Sequence, residues 1–97
     1  MITSDNFSDK INTTFAMQVT DDTTLSLTLK SVDIKEGGAQ PGQERTPFTL
    51  LFEGTQNQLC DQRIYLLKHP SGFETEIFLV PVGQAADNQY LYQAIYS

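Results

Sequence analysis

Apolar residues recur with a period of two through most of this 97-residue chain, and no other feature constrains its fold as strongly. Leu25, Leu27 and Leu29 alternate with Ser26 and Thr28; Phe48, Leu50 and Phe52 alternate with Thr49, Leu51 and Glu53. Successive side chains of a strand point to opposite faces, so each pattern gathers its apolar residues on one face of a sheet. Similar segments occupy residues 15–19, 63–69, 73–82 and 90–96. Turn signals stand between them: Asp21-Asp22, the break over 35–46 with Gly37-Gly38 and Pro41-Gly42, a polar stretch over 55–62, His69-Pro70-Ser71-Gly72, and 83–89. Short strands divided in this way predict an all-β domain of about six antiparallel strands, in a small barrel or a sandwich. The fourth and fifth strands form the clearest hairpin, because Pro70 and Gly72 supply the dihedrals of a tight turn.

Two irregularities refine the pattern. The apolar phase slips between Leu29 and Val32, which predicts a β-bulge near Lys30-Ser31. Pro81 has no N–H and belongs at a sheet edge or a bulge. Residues 4–12 depart from the strand period. Ser4 is a candidate helix cap there, Asp5 lies near the positive end, and Phe7 and Ile11 are four apart, on one face. A short N-terminal helix is expected.

A chain of this length is expected to form one domain, residues 1–97. Hydrophobic residues make up 39 %, enough for a packed core. Six Lys and Arg stand against 12 Asp and Glu, a formal charge of -6, which argues against nucleic acid or an anionic membrane as partner. The start, Met1-Ile2-Thr3-Ser4-Asp5-Asn6, lacks the basic and apolar regions of a secretory signal. The longest apolar run, Ile77-Phe78-Leu79-Val80-Pro81-Val82, is far below the ~20 residues of a membrane helix. A soluble, cytoplasmic protein is expected, and a lone Cys60 fits a reducing compartment. The sequons at Asn6 and Asn12 are read as chance matches.

The sequence holds no catalytic constellation. His69 precedes a proline at a hairpin corner, and Cys60 lies nine residues upstream in a polar stretch with no spacing signature for a nucleophile and base. Asp21-Asp22 and Glu74 with Glu76 are acid pairs of the kind that hold cations or serve glycoside chemistry, but solvated turn and strand positions account for them more simply. The glycines of 37–42 lack the Lys-Ser/Thr ending of a phosphate loop. No catalytic residue, cofactor or metal is expected, and the protein is expected not to be an enzyme.

The last two strands carry more apolar surface than one buried face requires. Ile77 and Leu79 oppose Phe78, Val80 and Val82; Tyr90, Tyr92, Ala94 and Tyr96 oppose Leu91 and Ile95. Either the N-terminal helix covers the second face, or that face meets a protein. Phe78, Val80, Tyr90, Tyr92 and Tyr96 are the candidate interface residues.

Segments of the third through sixth strands carry a resemblance. Pro47-Phe48-Thr49-Leu50-Leu51-Phe52-Glu53-Gly54, Ile64-Tyr65-Leu66-Leu67-Lys68-His69-Pro70, Ile77-Phe78-Leu79-Val80-Pro81-Val82-Gly83 and Tyr90-Leu91-Tyr92-Gln93-Ala94-Ile95-Tyr96 resemble an uncharacterised family of small bacterial β proteins, a domain of unknown function. Its motifs are F-x-L-x-F-x-G, Y-x-L-x-H-P, F-L-V-P-V-G and a terminal Y-x-A, matched here over residues 24–97. The resemblance implies a compact β domain without a known reaction, and an accessory or assembly role near phage-tail-like components. The functional expectation is a non-enzymatic interaction or assembly module that meets a protein partner or forms a homo-oligomer. The alternative is a barrel holding a small apolar ligand among Leu27, Leu50, Leu66 and Leu79.

Overall fold

Six strands follow the alternation, and their pairing closes them into a barrel with no sandwich layering. A computed structural model of the chain describes residues 2–54, 59–85 and 89–97. A four-residue helix, α1 (Asp5–Ser8), precedes β1 (Thr14–Gln18), β2 (Thr24–Ile34), β3 (Phe48–Gly54), β4 (Arg63–Lys68), β5 (Glu74–Gln84) and β6 (Tyr90–Tyr96). The order around the barrel is β1-β2-β3-β6-β5-β4, with every neighbouring pair antiparallel. β1 and β4 close the ring through three register pairs, Ala16 to Gln18 against Lys68 to Leu66.

Inward positions are the apolar set of each alternation. Phe15, Met17, Leu25, Leu27, Leu29, Phe48, Leu50, Phe52, Leu67 and Leu79 fill the interior with aromatic rings and branched chains. A barrel of about eight strands has an interior that side chains just fill, and six strands leave less room still. Leu27, Leu50 and Leu79 are among these packed residues, whereas Leu66, expected beside them, lies at an outward position opposite the exposed Glu76.

Both irregularities have structural counterparts. The β2–β3 register shifts between Leu29 and Ser31, so the inward phase passes from Leu29 to Val32, which packs partly against the core. Ile34, two residues on, stays exposed. Pro81 cannot occupy an edge, because a closed barrel has none; it sits where the β5–β6 register shifts, between Pro81 and Gly83. That shift lets β5 run on to Gln84, past the turn expected from residue 83.

The N-terminal helix is shorter than expected and does a different job. It ends at Ser8, Ile11 remains exposed, and Ser4 makes no side-chain capping bond; the Thr3 N–H instead donates to Asn6 Oδ1 at 2.8 Å. The helix does not cover an outer face. It stoppers one end of the barrel, where fully buried Phe7 meets Phe73 edge-on at 5.4 Å, Phe48 and Tyr96 at 6.0 Å and Phe15 at 6.3 Å between ring centroids. Among the described residues no helix is long and apolar enough to cross a membrane.

Candidate interaction surface

The residues singled out by chemistry separate in space. His69 follows β4 and Cys60 precedes it, so a strand of about 20 Å divides them. His69 serves its hairpin: Nδ1 accepts the Ser71 N–H at 3.1 Å, Nε2 lies 2.9 Å from Thr13 Oγ1, and the ring rests 4.9 Å from the Phe15 centroid. The Thr13 hydroxyl donates onward to the Lys10 carbonyl, so Nε2 carries the proton and donates to Thr13. Cys60 is buried, although its neighbourhood in the sequence is polar, and its N–H donates to the Tyr92 hydroxyl at 2.9 Å. Asp21 and Asp22 lie exposed in the β1–β2 turn, and Glu74 and Glu76 lie exposed on the outside of β5. Among the described residues no group of three or more His, Cys, Asp or Glu side chains could hold a metal ion.

Of the five candidate interface residues, two are outward and three are not. Phe78 is 48 % exposed and Val80 is half-buried on the outside of β5. Tyr92 is 1 % exposed and projects into the barrel; Tyr90 and Tyr96 pack partly against the same core. Tyr92 is therefore an interior residue, which corrects its expected place in a contact surface, while Tyr90 and Tyr96 share its inward parity and are partly covered. Burial pushes the Tyr92 hydroxyl up to about 12 and raises Tyr65 and Tyr96 for the same reason. Tyr96 stacks on Phe48 at 4.7 Å and 12°, and its hydroxyl is buried near Thr75 without a well-formed hydrogen bond.

The outward residue of β6 is Ile95, at 70 % exposure. Its parity opposes that of the tyrosines, so once Tyr92 points inward Ile95 must point out. The small Ala94 was the available signal, because a narrow barrel needs small inward residues beside large ones. Ile64 on β4 is 62 % exposed and pairs directly with Phe78. Ile34, at 54 %, shares a surface cleft with Ile95.

These side chains form an apolar belt. It runs from Ile95 on β6 to Phe78 on β5 and Ile64 on β4, and the same outward row continues through Thr49 on β3 to Asp33 on β2. Ile34 pairs with the inward Phe48 and is exposed at the barrel end beside that row. The β5–β6 pairing extends from Gln84 and Tyr90 to Val80 and Gln93. Just beyond it, Phe78, Val80, Gln93, Ile95 and Ser97 line a cleft of about 460 Å³.

A six-stranded antiparallel barrel with one stoppered end and an apolar belt on its wall defines the structural class. The chain belongs to a family described as a domain of unknown function, DUF6916, whose match spans residues 2–96. Neither a curated protein nor a solved structure matches it.

Proposed function

We propose that this domain is a non-enzymatic interaction module that receives a protein partner on the outer wall of its barrel. One observation carries the proposal: the exposed side chains of Ile95, Phe78 and Ile64 lie in one row across the adjoining strands β6, β5 and β4. Scattered exposed apolar residues are ordinary, but contiguous ones on a small domain usually mark an interaction site. The assembly role implied by the family resemblance, accessory to a phage-tail-like system, is a case of the same function. Support for an apolar ligand inside the barrel is weaker, since Leu27, Leu50 and Leu79 are packed among aromatic rings and Leu66 faces outward.

In-cell photo-crosslinking tests the proposal. A photoreactive phenylalanine at position 78 should give a discrete heavier adduct, and the same residue at Lys30 should give none. Lys30 is exposed on β2, across the ring from β5. No adduct at position 78, or the same adducts at both positions, would remove the proposal.

A further inference from the structure

The belt has a chemical bias along one strand. Outward positions of β5 read Glu74, Glu76, Phe78 and Val80, two acids followed by two apolar residues. The β3, β5 and β6 strands contain no Lys or Arg at all, but hold Glu53, Glu74 and Glu76. Among the described residues neither Glu74 nor Glu76 is in an ion pair. One nearby cation, Lys68, stands beside Glu74, and two others are placed elsewhere. Arg63 donates to the Val19 carbonyl and lies over the Tyr65 ring at 4.7 Å; Lys35 lines the flanking cleft beside Ile34. Lys68 is the direct register partner of Glu74, whereas Glu76, nearer to Phe78, stands opposite Leu66 and has no cation across from it.

We propose that the cleft between Phe78 and Ile95 receives a segment of another protein that carries apolar side chains together with Lys or Arg. This rests on the interaction function proposed above and names the chemistry of its partner. Apolar side chains fill the cleft of Phe78, Val80 and Ile95, and the cations reach Glu76 and Glu74 along the same face. Opposite charges across an interface raise the association rate and exclude wrong partners. A second copy of this chain fits less well. The molecule carries a net charge of -6, and of the strands in this wall β3, β5 and β6 bring carboxylates and no cation, while Lys68 of β4 already faces Glu74 of its own chain. A polyanion is disfavoured on the same ground.

The test uses a displayed library of random 12-residue peptides, selected on the full chain and counter-selected on a Phe78→Ser/Ile95→Ser variant. Enriched peptides should combine apolar residues with Lys or Arg. A synthetic copy of the most enriched peptide should bind about five times more weakly to Glu74→Gln/Glu76→Gln. Asp21→Asn/Asp22→Asn, which removes the same charge at the β1–β2 turn, should change binding less than twofold. Enriched peptides that are neutral or acidic would overturn the partner chemistry while leaving the interaction function standing. So would equal weakening by the two charge variants, or a concentration-dependent dimer in light scattering that Phe78→Ser/Ile95→Ser abolishes. A monomer with no enrichment dependent on Phe78 and Ile95 would overturn both.

Discussion

Replacing Phe7 with Ala should unfold much of what α1 contributes. Four residues are too few to hold a helix by themselves, because nucleation alone is unfavourable. What fixes α1 is the burial of one ring among Phe15, Phe48, Phe73 and Tyr96. Phe7 is fully buried, so the change removes its transfer free energy and leaves a cavity at the barrel mouth, about 3–5 kcal/mol together. The edge-on contact with Phe73 is part of that figure and is not added to it. Total stabilities of small domains run about 5–15 kcal/mol, so the variant should be marginal. Urea unfolding followed by far-ultraviolet circular dichroism reads the loss as a lower midpoint at unchanged slope. Phe7→Leu keeps most of the apolar volume and should lose about 1–2 kcal/mol, which guards against an Ala variant that fails to fold. A loss below about 1 kcal/mol for Phe7→Ala would show that the barrel holds without its stopper and refute the reasoning.

Three further outcomes follow from the interior and the turns. Tyr92→Phe leaves the buried Cys60 N–H without its acceptor and should cost about 1–3 kcal/mol in the same urea experiment. Burial holds Tyr92 protonated up to about 12, while an unfolded tyrosine ionises near 10. Its contribution is therefore complete below about pH 10 and lost as pH rises toward 12; the urea midpoint should fall across that window, less steeply in Tyr92→Phe, and a flat profile would be contrary. Gly72→Ala places a side chain at φ 99° in the His69-Pro70-Ser71-Gly72 turn and should cost about 1–2 kcal/mol, read as a lower melting temperature. Phe78→Ser/Ile95→Ser should leave stability within about 0.5 kcal/mol per site, since both side chains are largely outside the core; a loss above about 2 kcal/mol would mean that they pack into it.

Strand positions were legible because alternation reports directly on the pleat, and the bulge after Leu29 was legible because a one-residue insertion inverts parity. Parity alone does not say which face is inside. Tyr92 and Ile95 alternate equally well either way, and the choice depends on β3 and β5 pairing with β6 to complete a ring, a contact between distant segments. The same gap misled the expectation for α1. Phe7 reads as one half of an amphipathic pair with Ile11, but the barrel end lined by Phe48, Phe73 and Tyr96 takes up Phe7 alone and leaves Ile11 exposed. His69 and Cys60 are near in the sequence, and an extended strand separates what a helix would have kept close.

The Arg45 guanidinium donates to the carbonyl of Ile2 at 2.9 Å and to that of Ser97 at 3.2 Å, and lies 5.0 Å from the Tyr96 ring. One side chain thus bridges the first described residue and the last. In space the backbone of residues 2–97 nearly closes into a loop. A short splice from residue 97 to residue 2 would complete that loop, and new ends could be opened in the exposed stretch around Gly37 and Gly42 without breaking a strand. For the same reason the whole barrel could be grafted into a surface turn of a host protein, entering and leaving at nearly one place.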